Sequence, residues 1–176
     1  MAEPTLFDEA SLALIASGGA GKDGKVYSVK PVPVYGTEQV TNGDFASDSN
    51  WLKDTGWTIS GGLLNCNNST SNNTRQLISG YSTSKKYRVT FTVSNYVSGG
   101  AVIYLGYGVG TTRTANGTYI EDLSFADGGA FNGYLRIFSS GASQFSVDNV
   151  SVQEIVSSGD FTFSRGSNLS ATRVNA

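Results

Sequence analysis

The chain has no histidine among its 176 residues, one cysteine, three prolines, and only 15% charged residues. Without histidine the commonest general base and metal ligand is missing, and neither a Ser/His/Asp nor a Cys/His arrangement can be built. Paired carboxylates could still hydrolyse glycosides, but the adjacent Glu121 and Asp122 would point to opposite faces of a strand. The sequence therefore predicts no enzyme. With Cys66 alone no intramolecular disulfide can form, and this residue is expected to pack as a small apolar side chain. A formal net charge of −2 gives no field that favours nucleic acid. No apolar run approaches the roughly 18 residues of a membrane-spanning helix. Met1-Ala2-Glu3-Pro4 is acidic where a signal peptide is basic, and Leu12 to Ala16 is short for its apolar core. Synthesis in a cytoplasm without export is expected. Gly106-x-Gly108-x-Gly110 lacks the Lys-Ser/Thr ending and the following helix of a phosphate loop.

Serine, threonine, asparagine and glycine take the place of charge, and 39% of residues are hydrophobic. That mixture suits short strands joined by polar turns. Lys86 to Ser94 alternates, with Tyr87, Val89, Phe91 and Val93 on one face and Arg88, Thr90 and Thr92 on the other. Residues 101 to 107 are apolar on both faces and predict a central strand. Residues 117 to 125 and 133 to 139 are further strands, and 57 to 66 predict a hairpin turning at Ser60-Gly61-Gly62. In the last strand Phe145 and Val147 are apolar at odd positions, Val150 and Val152 at even ones; one extra residue near Asp148-Asn149 would restore the phase, which predicts a β-bulge. About eight antiparallel strands with polar turns indicate an all-β protein, a β-sandwich. Before it, residues 5 to 17 predict a short helix, with Thr5 as N-cap and Leu6, Ala10, Ala13 and Leu14 at helical spacing. The glycines and prolines of residues 18 to 36 predict an extended arm.

Two resemblances add a setting. Gly24-Lys25-Val26-Tyr27-Ser28-Val29-Lys30-Pro31 and the C-terminal Gly159-Asp160-Phe161-Thr162-Phe163-Ser164-Arg165 with Ala171-Thr172-Arg173-Val174-Asn175 are similar to stretches of tailed-bacteriophage virion proteins. There the two lie close together; here a β-domain separates them. The resemblance implies a virion structural protein, a capsid decoration or a head or tail fibre component, at the virion surface. Residues 1–36 and 157–176 would be attachment segments for other virion proteins, and a homo-oligomer is implied as well. The intervening domain, residues 37–156, opens with Val40-Thr41-Asn42-Gly43-Asp44-Phe45 and Gly56-Trp57 and closes with Phe145-Ser146-Val147-Asp148-Asn149-Val150-Ser151-Val152. These edges resemble those of the jelly-roll carbohydrate-binding modules often fused to xylanases and glucanases, and imply a jelly-roll sandwich.

If the last strand pairs near the first, Asp148 comes close to Asp44, a junction where a structural calcium could take carboxylate and carbonyl oxygens. Ala46 and Asn149 stand where the family has acidic groups, which removes negative charge; the other reading is that Asp148 and Asn149 bind turn backbone at the bulge. A sugar site needs an aromatic face and nearby polar groups. Tyr96, Tyr104, Tyr107, Tyr119 and Tyr134 are candidates for the first, and Arg136, Gln76 and Glu121 for the second. Tyrosines are also ordinary strand residues whose hydroxyl reaches solvent. Trp51, in the polar loop Asp48-Ser49-Asn50-Trp51, is either a recognition residue or a cap over one end of the sandwich. The expected function is thus display of a β-sandwich on a virion, with host polysaccharide as a candidate partner. The other reading is a dedicated adhesin, or a carbohydrate-binding module of a longer tail fibre or secreted glycosidase.

Overall fold

The computed structural model describes residues 33–157, together with 12–13 and 28–29. The chain divides into two units, one of Tyr35–Val156 and one of Met1–Val34 with Ser157–Ala176. In the second unit, β1 (Leu12–Ala13) pairs antiparallel with β2 (Ser28–Val29). The backbone is therefore extended at Leu12–Ala13, inside the span expected to be helical. A helix of about three turns is marginal alone, and pairing with an extended partner satisfies the same backbone groups. The rest of that expected helix lies outside the described residues, as do the C-terminal virion-like stretch and all of Gly24 to Pro31 except Ser28–Val29.

The unit Tyr35–Val156 is all-β, with two antiparallel sheets. One sheet runs in the order β10 (Gly108–Val109), β9 (Ala101–Leu105), β12 (Tyr134–Ser139), β7 (Asn73–Leu77), β4 (Leu52–Lys53). The other runs β11 (Gly117–Ser124), β8 (Lys86–Ser98), β13 (Ala142–Ser157), β6 (Leu63–Thr70), β5 (Trp57–Ser60), and β3 (Val34–Glu38) also pairs with β13. These are eleven strands where the sequence predicted about eight. The sequence placed seven of them, and the four it did not place are β3, β4, β7 and β10. Two of them are only two residues long, β7 reads Asn-Thr-Arg-Gln-Leu, and β3 begins in the segment expected to be an arm. Short or polar strands carry no apolar alternation for a periodicity argument to find.

The strands that do alternate form as expected. Tyr87, Val89, Phe91 and Val93 of β8 are all buried. The β5–β6 hairpin closes with Ser60 opposite Leu63, and both turn glycines have positive φ (64° and 70°), the conformation that a two-residue turn of this hand requires. The two sheets contribute to a single core. Leu64, Val89, Phe91, Phe145 and Val147 come from the six-stranded sheet, and Ile103, Leu105, Leu135 and Ile137 from the five-stranded one. Trp57 meets Phe145 edge-on at 5.8 Å. Cys66 is buried in the same core, its thiol directed at the Ser143 carbonyl oxygen at 3.6 Å.

The bulge sits where the phase of the sequence breaks. Asp148 lies opposite Thr92 and Ser151 opposite Thr90, so β13 advances three residues while β8 advances two. Asn149 takes a φ of 52°, a conformation asparagine tolerates. Phe145, Val147, Val150 and Val152 are consequently all buried. Just past the bulge the Val150 N–H donates to the Gly43 carbonyl at 2.8 Å, tying the start of the domain to its last strand.

A side-chain carbon on Gly43 would stand 2.0 Å from the Val150 carbonyl oxygen. Gly43→Ala is therefore expected to cost about 1–3 kcal/mol, as overpacking against fixed backbone does; urea denaturation would measure it, and an unchanged midpoint would show that the junction can shift. On the outer side of the six-stranded sheet Arg88 donates to both carboxylate oxygens of Asp122 at 2.8 Å, hydrogen-bonds the Tyr35 hydroxyl, and lies over the Tyr35 ring. Those hydrogen bonds, with the charges of Arg88 and Lys86, hold the Asp122 carboxyl below its ordinary value against the opposing effect of burial. A depressed carboxyl contributes stability that is present above about pH 4 and lost as pH falls through the folded-state value. Asp122→Asn should flatten the acid limb of the Tm–pH curve, within the roughly 0–1 kcal/mol of a solvent-screened pair. Thermal melts between pH 2 and 7, superimposable for both proteins, would exclude this pair as a source of acid sensitivity.

Candidate functional site

Because successive strand residues face opposite ways, the core residues of the five-stranded sheet dictate what its other face presents. In β9, Ala101, Ile103 and Leu105 enter the core, so Val102 and Tyr104 face outward. In β12, Leu135 and Ile137 enter it, which turns Tyr134, Arg136 and Phe138 out. In β7, Thr74 and Gln76 are buried on the core side, leaving Asn73, Arg75 and Leu77 outside. The register then aligns one row across all five strands: Leu52 opposite Arg75, Arg75 opposite Arg136, Arg136 opposite Tyr104, and Tyr104 opposite Val109. Four inter-strand spacings make this row about 19 Å long.

Two loop aromatics complete it. The Arg136 guanidinium lies 4.2 Å from the centre of the Phe131 ring, 4.5 Å from Tyr104 and 5.7 Å from Tyr107. The Arg75 guanidinium lies over the same Phe131 ring, 5.8 Å from its centre. Tyr107 is the exposed member, at 37%. Its ring passes over Gly128, where a side-chain carbon would stand 3.0 Å from it, so glycine makes room for the ring. A cleft of about 500 Å³ adjoins the β4 end of the row, lined by Leu52, Arg75, Leu77 and Tyr134 together with Asn50 and Glu38.

Arg136 is the electrostatic centre of this face. It is only 7% exposed. The other three described arginines each hold a carboxylate: Arg75 to Asp54 at 2.9 Å, Arg88 to Asp122 at 2.8 Å, Arg113 to Glu121 at 2.7 Å. Arg136 has none among the described residues. Its Nη2 donates to the Gly106 carbonyl at 2.8 Å, and its Nε is sealed from solvent without a hydrogen-bond partner. Burial pushes the guanidinium below its ordinary value; the tyrosines at 104 and 107 oppose this, and the charge of Arg75 adds to it. It remains a cation, as arginine does in proteins. The row thus combines aromatic surface, guanidinium donors and exposed aliphatic ends, a recognition chemistry with no acid–base pair in the row itself.

Of the sequence-predicted candidates, Tyr104, Tyr107 and Arg136 come together here and Tyr134 shares the face. The others lie elsewhere. Trp51 is 5% exposed, packed on Phe45 with ring centres 5.3 Å apart, and its indole N–H donates to the Asn42 carbonyl at 3.0 Å, so it stands as a cap on the core. Tyr96 packs against the core and donates to the Gly99 carbonyl. Tyr119 stacks on Phe91 beneath Arg113 and donates to the Ala115 carbonyl. Gln76 is a buried clasp that binds the Thr41 N–H and the carbonyls of Thr41 and Asn50. Glu121 receives two bonds from Arg113 and one from the Thr111 N–H, fixing the loop between them. At the proposed calcium junction, Asp148 accepts from the N–H and side-chain amide of its neighbour Asn149, and Asp44 from the Ala46 N–H. No group of three or more carboxylate, thiolate or imidazole side chains gathers among the described residues.

Sequence reasoning missed Arg75 and Phe131. Arg75 sits on a strand with no apolar alternation. Phe131 is brought over the sheet by a loop, and its only local signal is the neighbouring Gly128-Gly129. Trp51→Ala separates the two readings of that residue: emptying a core position should cost about 3–5 kcal/mol, measured by chemical denaturation, whereas a recognition residue would leave stability nearly unchanged. No known family model matches the chain, and no curated protein sequence is significantly similar to it.

Proposed function

We propose that the protein is a structural component of a tailed-bacteriophage virion that displays a jelly-roll β-sandwich and binds host glycan through the outer face of the five-stranded sheet. The observation that carries the binding reading is the row Leu52–Arg75–Arg136–Tyr104–Val109 with Tyr107 and Phe131 beside it. Sugar rings offer C–H faces to aromatic surfaces and hydroxyls to polar groups, and this face has both along a line that suits an extended oligosaccharide better than a single sugar. The module-like edges around Asp44 and Asp148 support the same reading, and the virion-like stretches at either end support the setting. In this proposal the terminal segments attach and the sandwich projects.

A glycan array probed with the whole protein tests the binding reading. Tyr107 is the most exposed ring of the face, and Tyr107→Ala should lower affinity about tenfold or more, given the roughly 1–3 kcal/mol that a stacked ring contributes, without moving the thermal midpoint by more than a few degrees. Absence of binding across polysaccharides of the bacterial surface would leave a purely structural, decorative role.

A further inference from the structure

Resting on that glycan-binding reading, we infer that the ligand is acidic: Arg136 and Arg75 form a subsite for the carboxylate of a uronic-acid-containing polysaccharide. Arg136 and Arg75 are register partners on neighbouring strands, and both guanidinium groups lie over the Phe131 ring. Like charges in that relation are destabilising, and burying a cation without a counter-charge costs more still. The other described arginines are each neutralised, Arg75 itself by Asp54, Arg88 by Asp122 and Arg113 by Glu121, so the charge without a partner is that of Arg136. At Arg136 the fold supplies rings in place of an acid. Cation–π contacts with Phe131, Tyr104 and Tyr107 stabilise the charge and leave its hydrogen-bonding capacity largely unspent. Nη2 has one carbonyl, and Nε is sealed from solvent without a partner, so the terminal nitrogens are the part of the group that a ligand could meet.

Arg75 shares this property in part. Asp54 and Asn73 take its Nη1 alone, and the side chain keeps about a quarter of its surface exposed. A planar carboxylate matches the guanidinium fork in geometry and charge, and a sugar that carries one would place its ring among Tyr104, Tyr107 and Phe131. The missing counter-charge is then brought by the ligand.

The test compares binding of the full-length protein to three polyuronates (polygalacturonate, alginate and hyaluronan), to their carboxyl-reduced neutral forms, to neutral glycans and to dextran sulfate. At least one polyuronate should bind about tenfold or more tighter than its reduced form, the range of a charge-assisted hydrogen bond, with weakening at high salt. Arg136→Gln and Arg75→Gln should each abolish that preference, with near-ultraviolet circular dichroism confirming that both variants are folded; the second is the safer probe, since Arg75 is partly exposed. Equal binding of a polyuronate and its reduced form, or binding of neutral glycans only, would overturn the inference while leaving glycan binding intact. Dextran sulfate bound as tightly as every polyuronate would show bulk charge attraction and also overturn it. No glycan bound by the folded wild-type protein would overturn the binding reading itself.

Discussion

A single extra residue in β13 decides how the domain closes. Strand side chains repeat every two residues, so a strand of sixteen residues can feed the core along its whole length only if its apolar positions keep one phase. Those of β13 do not: they are odd before Asp148 and even after Asn149. The bulge absorbs the slip, and Phe145, Val147, Val150 and Val152 all reach the interior. β8, β6 and β3 of the six-stranded sheet pair with this strand directly, and β11 and β5 join through β8 and β6. β8 lies along one edge, β6 along the first part of the other, and beyond the bulge that edge is met by the Gln39 and Gly43 backbone through Val152 and Val150. Side-chain bonds from Glu38 to the Val152 N–H and the Ser151 hydroxyl hold the incoming chain there.

The core built on β13 in turn determines the face that carries the candidate site. Once Ile103, Leu105, Leu135 and Ile137 are committed inward, the alternate positions must face out, and the register leaves no freedom over which of them become neighbours. Arg136 is placed opposite Arg75 and Tyr104 by backbone pairing alone. What those neighbours do to it is a separate matter. Three rings and a carbonyl surround a guanidinium that has no acid beside it among the described residues, so its charge is held by quadrupoles in place of a carboxylate.

Part of this was legible beforehand, for identifiable reasons. β8 and the β5–β6 hairpin are written in alternation and in a Gly-Gly turn, both local signals. The bulge was legible because a phase slip is itself a pattern. The residues Tyr104, Tyr107, Tyr134 and Arg136 could be named as candidates from residue type, but so could Trp51, Tyr96 and Tyr119, which pack in or against the core. Residue type does not say which side of a sheet a tyrosine takes when its strand is apolar on both faces, as β9 is. Gln76 and Glu121 show the same limit for polar groups. Both have the right chemistry to hold a ligand, and both are spent on backbone and an arginine of the chain itself.

The sequence by itself determined the class of the fold, the phase of its strongest strands and the absence of histidine-based chemistry, because each is a property of composition or of near neighbours along the chain. It also carried the resemblances that suggest a virion setting. Tertiary structure alone decided that Arg75 and Arg136, sixty-one positions apart (136 − 75), stand side by side, that Phe131 lies against both, and that no carboxylate among the described residues reaches Arg136. Those are matters of strand register and loop closure, which join distant segments through backbone hydrogen bonds that are the same for every residue type and so leave no trace in the sequence of either partner.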